Sequence, residues 1–341
     1  NQNYGEIFSN LLIEKIQKCL SNNEQIILLH NRRGFSPIIR CQDCGDINLC
    51  PHCKIALTYH KYGELLQCHF CNYVGESIPK TCNNCSGYNI ELTGTGTQKV
   101  EDLLIDKFSD ANIARLDTDV AKSGKTVSNI LQSFSKGQID ILLGTQMIAK
   151  GLDFANVTLV GIINADTGLY LPDFRAGEKV FQLIYQAAGR SGRGEIPGEV
   201  VVQSYNSDND VIKLATKLEL EKYYENLLNE RKSLDYPPYS WMVRLEFRGT
   251  NKKKIESEIK IFNNRLKKMP KGIEKLGPSY CYRERLKEQY RMQIVLKSKK
   301  KFDPSGARLH KFYKSNLRNI QKNFFSSKIK LIVDVNPVSL L

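Results

Sequence analysis

Eight of the ten cysteines in this chain fall within 45 residues, as four Cys-x-x-Cys pairs: Cys41/Cys44, Cys50/Cys53, Cys68/Cys71 and Cys82/Cys85. A two-residue gap lets both thiolates of a turn face one cation, and four such thiolates complete a closed tetrahedral zinc site. Eight ligands therefore predict two structural Zn2+ ions. A disulfide framework would require an oxidising compartment, and the N-terminus is polar with no apolar signal segment. A redox pair or an iron–sulfur cluster fits the repeated spacing less well.

Three ways of sharing the metals are open. The second and third pairs are 14 residues apart, close to the zinc-ribbon separation of about 15–20 residues. Only five residues separate the first two pairs, which leaves little room for them to face each other. Spacing thus favours a nested arrangement, with Cys41, Cys44, Cys82 and Cys85 on one zinc and Cys50, Cys53, Cys68 and Cys71 on the other. His52 and His69 sit inside Cys-x-x-Cys turns and read as surface groups, or as groups just outside the metals. Cys19 lies in an amphipathic helical pattern and reads as core; Cys281 is isolated.

Around the cysteines the apolar pattern alternates between strand and helix. Helical spacing covers Ile7–Leu20, Thr97–Phe108, Thr126–Phe134 and Glu178–Ala188. Short apolar runs predict strands at Gln25–His30, Ile113–Leu116, Ile139–Leu143, Val157–Ile163 and Glu199–Ser204. This order predicts an α/β domain, a parallel sheet with helices on both faces. The cysteines fall between its first strand and its next helix, so they form an insertion at the strand ends where ligands usually bind. No apolar run approaches the length of a membrane span.

Gly124-Lys125-Thr126 follows a strand and precedes a helix, as a phosphate loop would. The first glycine of that pattern would fall at position 119, which is Asp119, and Asp117 adds a second repelling carboxylate. The segment reads as a solvated turn. Two other segments carry more chemistry. Gly144-Thr145-Gln146-Met147-Ile148-Ala149-Lys150-Gly151-Leu152-Asp153 follows a strand; its Gly, Thr and Gln can approach a backbone phosphate, and Asp153 can bond a ribose or a neighbouring loop. Gln186-Ala187-Ala188-Gly189-Arg190-Ser191-Gly192-Arg193 ends a helix with two guanidinium groups three residues apart. Arginines so placed suit the charge that develops on a transferred γ-phosphoryl group.

Charge is distributed unevenly. Residues 1–250 hold 26 Lys/Arg against 29 Asp/Glu, whereas residues 251–341 hold 24 against 7. A segment this basic, with apolar stretches interleaved, predicts a folded domain that binds a polyanion.

The two motor-like segments resemble motifs V (GTQMIAKGLDF) and VI (QxxGRxGR) of superfamily 2 helicases, in their second RecA-like lobe. The four Cys-x-x-Cys pairs narrow the resemblance to the PriA (primosomal protein N′) family of replication-restart helicases. Asn31-Arg32-Arg33-Gly34-Phe35, Gly94-Thr95-Gly96-Thr97-Gln98-Lys99, Leu171-Pro172-Asp173-Phe174-Arg175 and Tyr236-Pro237-Pro238-Tyr239 are similar to that family. So are Tyr290-Arg291-Met292-Gln293-Ile294 and Val333-Asp334-Val335-Asn336-Pro337.

The resemblance implies four sections. Residues 1–38 and 91–232 would form the second lobe, 39–90 the two-zinc insert, and 233–341 a small basic α+β domain that contacts DNA. It implies an ATP-dependent DNA helicase of replication restart that binds forked DNA, unwinds it 3′ to 5′ and assembles the primosome. Arg190, Arg193 and Gln186 would serve ATP hydrolysis, Gly151 and Asp153 the nucleotide side, and Thr145, Gln146 and Arg291 the DNA. The cofactors would be ATP with Mg2+ and the two structural zincs. Partners would be forked and single-stranded DNA, single-stranded-DNA-binding protein, and primosome and replicative-helicase loading proteins. No membrane is implied, and the location would be the bacterial cytoplasm, at the nucleoid. The family's phosphate-loop lysine and Mg2+-binding acidic motif are not found here, as expected of the C-terminal half of such a protein. The alternative is a non-catalytic zinc-containing module that binds DNA or partners.

Overall fold

The computed structural model describes residues 7–30, 38–52, 56–60, 65–69, 71–93, 97–117, 124–145, 148, 154, 156–189, 197–266, 269–321 and 329–340. They form two compact units. One comprises Asn1–Ile47, Pro79–Leu171 and Ala176–Tyr223; the other comprises Asn48–Ile78, Pro172–Arg175 and Tyr224–Leu341.

The first unit opens with helix α1 (Asn10–Ser21) and strand β1 (Gln25–His30). The Ser9 hydroxyl caps α1 by accepting the Leu12 N–H. Strand β2 (Ile38–Cys41) leads into the cysteine insert, and β6 (Ile90–Thr93) pairs with it antiparallel on leaving. Helix α2 (Thr97–Lys107), β7 (Ile113–Leu116), α3 (Gly124–Ser135), β8 (Ile141–Gly144) and β9 (Val157–Ile163) follow. The unit continues with α4 (Asp166–Leu169), α5 (Ala176–Ala188), β10 (Glu199–Val202) and α6 (Asp210–Thr216).

The five strands align in parallel in the order β10-β9-β1-β8-β7. Leu12, Ile16 and Cys19 of α1 and Val100 and Leu104 of α2 pack on Ile26, Leu28, Ile141, Leu143 and Leu159. The alternate strand residues Ile27, Leu29, Leu142, Val160 and Ile162 are buried as well. A sheet buried on both faces needs unbroken apolar strands rather than alternating ones, which is the pattern these segments carry. The predicted RecA-like α/β lobe is the fold found. Gly124-Lys125-Thr126 differs from expectation: it is the first turn of α3 rather than a free turn. A first helical turn has unpaired N–H groups, so its local sequence resembles a solvated turn.

The second unit contains β3 (Thr58–His60), β4 (Leu65–Gln67) and β5 (Val74–Ser77), a small antiparallel ribbon from the cysteine insert. It also contains most of α7 (Leu220–Ser233), then β11 (Ser240–Gly249), α8 (Lys252–Arg265), β12 (Ile273–Leu286), β13 (Gln289–Lys299), α9 (Ala307–Gln321) and β14 (Ile329–Val335). The large strands form an antiparallel sheet ordered β12-β13-β11-β14. Helices α8 and α9 cover one face through Ile255, Ile259, Phe262, Leu309 and Tyr313, packed on Val243, Leu245, Phe247, Ile294 and Leu296. The opposite face carries Arg244, Glu246, Arg291 and Gln293, all buried.

Candidate functional site

The first cysteine cluster lies in the first unit, with the parallel sheet. Cys41 ends β2, Cys44 follows one turn later, and Cys82 and Cys85 precede β6. The Sγ atoms of Cys41, Cys44, Cys82 and Cys85 all lie within 4.8 Å of one another. Cys41 is 3.6 Å from Cys85, and Cys44 is 3.6 Å from Cys82. Zn–S bonds of about 2.3 Å in a tetrahedron give S···S edges of about 3.8 Å, so the donor set fits zinc. The Asn84 backbone N–H and side-chain amide point at the Cys82 and Cys44 sulfurs, at 3.4 and 3.6 Å, and would stabilise thiolate charge.

The residue after each of three pairs makes the turn possible. Gly45, Asn72 and Ser86 adopt left-handed φ values of 77°, 65° and 59°. The Gly45, Asn72 and Ser86 N–H groups bond back to the Cys41, Cys68 and Cys82 carbonyls at 2.9, 3.0 and 2.9 Å. Spacing of cysteines did not point to these positions. The signal was the residue type immediately following each pair, since Gly and Asn tolerate this conformation best.

The base of the insert is fastened to the parallel-sheet unit. A Cβ on Gly45 would sit 3.0 Å from the Tyr205 carbonyl oxygen, and the buried Arg40 guanidinium lies 4.5 Å from the Tyr205 ring centroid. Tyr205 is itself held by Asp166, a fully buried carboxylate in α4. Asp166 accepts from the Tyr205 N–H at 2.9 Å, the Ser204 hydroxyl at 3.0 Å and the Asn206 N–H at 3.3 Å. Burial, with the Asp166 charge second, pushes the nearby Tyr170 phenol up to about 12.

The second cluster lies in the other unit. Cys50, Cys68 and Cys71 gather within 4.8 Å, with Cys50 3.6 Å from Cys71; Cys53 lies outside the described residues. Of the two expected positions for His69, surface or just outside the metal, the surface one is not found. His69 is buried against the C-terminal sheet, and its carbonyl accepts from the Ser279 hydroxyl and the Gln293 amide, both at 3.0 Å. Its Nδ1 lies 3.1 Å from the Tyr280 carbonyl, which can only accept, so Nδ1 carries the proton. His52 is exposed, edge-on to Tyr73.

At the C-terminal ends of the parallel strands, Thr145 follows β8. It is 3% exposed, and its hydroxyl has no hydrogen-bond partner among the described residues. An orphaned buried hydroxyl costs free energy unless a ligand or water completes it. Gln186 is exposed in the last turn of α5. Gln146, Gly151, Asp153, Arg190 and Arg193 lie outside the described residues.

Arg291, expected on the DNA side, is turned into the sheet instead of towards solvent. It is 4% exposed and grips Glu246 through Nε at 2.6 Å and Nη2 at 3.2 Å. Arg248 and Arg244 reach the same carboxylate at 2.5 and 3.2 Å. Burial alone would raise Glu246; bonds from Arg291 and Arg248 and the Arg244 charge outweigh it and hold the carboxyl at about 2. Arg291 is therefore committed to the interior of the sheet. The exposed cations of this domain are elsewhere, including Lys253, Lys260, Lys301, Arg308, Lys311 and Lys314.

Three family models match the chain. The PriA DNA helicase Cys-rich region domain covers residues 50–74, the helicase conserved C-terminal domain 73–195, and the primosomal protein N C-terminal domain 232–338. The replication restart protein PriA of Bacillus subtilis is 38% identical over 337 residues, 98% of this chain and 41% of that protein. Its counterparts in Chlamydia pneumoniae and Synechocystis are 36% identical over 335 residues and 35% over 349, covering 98% and 99% of this chain and 44% and 40% of theirs. The chain thus spans less than half the length of these relatives.

Proposed function

This chain is a relative of the replication restart protein PriA that carries a helicase C-terminal lobe, a cysteine-rich zinc-ribbon region and a PriA C-terminal domain, and on that footing we propose that it is the second motor lobe and DNA-holding end of an ATP-dependent replication-restart helicase. Combined with a first lobe supplying the phosphate loop and Mg2+-binding carboxylates, it would bind forked and single-stranded DNA, move 3′ to 5′, and load primosome components in the bacterial cytoplasm, with single-stranded-DNA-binding protein among its partners. No helix among the described residues is long and apolar enough to cross a membrane.

The observation that carries this reading is Thr145. Its buried hydroxyl, without a partner among the described residues, stands at the C-terminal end of a parallel strand, where ligands of such sheets bind, in the lobe whose helix α5 runs into QxxGRxGR. Thr145 and Gln146 would touch the tracking strand, and Gly151 and Asp153 would lie on the nucleotide side. Arg190 and Arg193 would meet charge on the γ-phosphate, with Gln186 orienting the attacking water or the arginines. Bound ATP supplies the phosphoryl group; the residues here position it and neutralise developing charge. Two zincs, one per cysteine cluster, are structural: all eight ligands are thiolates, which leaves no open position for chemistry.

The test is Arg193→Ala in the complete protein. DNA-stimulated ATP hydrolysis should fall by roughly 10³-fold or more, the scale of arginine-finger removal, while DNA binding persists. Unchanged turnover would remove Arg193 from the mechanism.

A further inference from the structure

The four sulfurs of the first cysteine cluster differ in their access to water. Cys41 and Cys82 are 3% and 6% exposed. Cys44 is half-buried, and its sulfur takes the Asn84 side-chain amide at 3.6 Å. Cys85 is the exposed member. Asn83, Asn84 and Ser86 around it are exposed as well, so a small solute can approach Cys85 from the solvent side.

Charge adds to access. A thiol bound to zinc is deprotonated outright, and four thiolates outweigh the charge of one Zn2+. Two carboxylates increase the excess. Asp43 Oδ2 lies 3.9 Å from the Cys41 sulfur, and Asp46 Oδ2 lies 3.8 Å from the Cys82 sulfur. An electron-rich, solvent-facing thiolate is the form of cysteine that oxidants attack. A second sulfur is also within reach. Cys41 is 3.6 Å from Cys85, and a disulfide is about 2.05 Å long, so a shift of about 1.5 Å closes the pair. Cys44 and Cys82 are equally near each other, but neither is exposed.

We propose that Cys85 is an oxidation site through which a hydroperoxide releases the zinc of the first cluster. With hydrogen peroxide, the Cys85 thiolate attacks one oxygen, the O–O bond breaks and hydroxide leaves, giving a sulfenic acid. The Cys41 thiolate then attacks the Cys85 sulfur; the S–S bond forms, the S–O bond breaks and a second hydroxide leaves. The two sulfurs lose two electrons between them, the peroxide gains them, and two protons from solvent turn the hydroxides into water. The metal keeps only Cys44 and Cys82 and departs. Cys41 closes β2, its carbonyl accepts from the Gly45 N–H, and the neighbouring Arg40 lies against the Tyr205 ring. Oxidation therefore loosens the base of the insert. The inference rests on zinc at the first cluster and is independent of the ATPase reading.

The test treats the zinc-loaded complete protein with increasing hydrogen peroxide. It follows released zinc with a chromogenic chelator and disulfide-linked peptides by mass spectrometry. Zinc release should rise in step with a Cys41–Cys85 linked peptide. Hydrogen exchange at Gly45 and Tyr205 should quicken, and dithiothreitol with Zn2+ should reverse both changes. Cys85→His keeps four ligands, as in Cys3His structural sites, but removes the attacking thiolate; it should hold its first zinc at doses that strip the parent. Where that variant does not load, the peptide map of the parent decides. Release that tracks a Cys44–Cys82 disulfide, or that occurs with Cys85 still reduced, overturns the proposal. So does zinc loss from Cys85→His at the parent's rate. A first cluster that takes up no zinc removes the metal reading and the proposal together, whereas zinc that survives peroxide removes the proposal alone.

Discussion

Single side chains decide how the buried charges of the C-terminal sheet are tolerated. Glu246 serves three arginines at once, so removing its charge leaves Arg244 and Arg291 buried without compensation. Glu246→Gln should destabilise this domain by about 3–5 kcal/mol, the cost of breaking a buried pair from one side, read from the midpoint of its denaturant unfolding. The same carboxylate sets an acid limit. Its pKa is lowered from 4.5 to about 2, so its contribution is complete above about pH 4.5 and is lost as the pH falls towards 2. Thermal scans should show the parent losing stability across that window and Glu246→Gln losing less. Gly45 is a second residue-scale control. Its φ of 77° and the nearby Tyr205 carbonyl leave no comfortable place for a methyl group. Gly45→Ala should cost about 1–3 kcal/mol of local strain and speed zinc release to a chelator from the first cluster, leaving the second unaffected.

At the scale of elements, the cysteine insert is divided. The first cluster, bounded by β2 and β6, belongs to the parallel-sheet unit, while the ribbon β3–β5 with the second cluster belongs to the C-terminal unit. The ribbon covers part of the polar sheet face, and the His69 carbonyl is the partner of two otherwise buried side chains. Metal at the second cluster would therefore stabilise more than the ribbon. Cys68→Ser should lower zinc content from two ions per chain to one, and hydrogen exchange should show lost protection at β12 and β13 around Ser279 and Gln293. Retained protection there would mean that the sheet closes without the ribbon. The strands and helices of the motor lobe were legible because burial on two faces demands long apolar runs. The ribbon strands, three or four residues each, were not. Their pairing comes from metal turns rather than from hydrophobic period.

For the whole molecule, the excess charge lies in residues 251–341, and only some of it is free to meet the proposed DNA. Within that segment Arg291 is engaged with Glu246, and Lys297 and Lys299 with Glu274. DNA affinity of the chain should fall linearly on a log–log salt plot, with a slope near −0.9 for each phosphate neutralised. Replacing Lys311 and Lys314 should reduce that slope, whereas Arg291→Lys should change stability and leave it alone. A flat salt response would make the basic excess a solubilising surface.

The amino-acid sequence by itself determined the metal-binding composition, the α/β alternation, the two motor segments and the basic character of the last quarter, because each depends on residue type and local spacing. Which cations are spent on internal carboxylates was decided only by tertiary structure, and so were the burial of His69 and the division of the insert between two units. Burial and pairing belong to what surrounds a side chain, and those surroundings are assembled from segments that the linear order keeps apart.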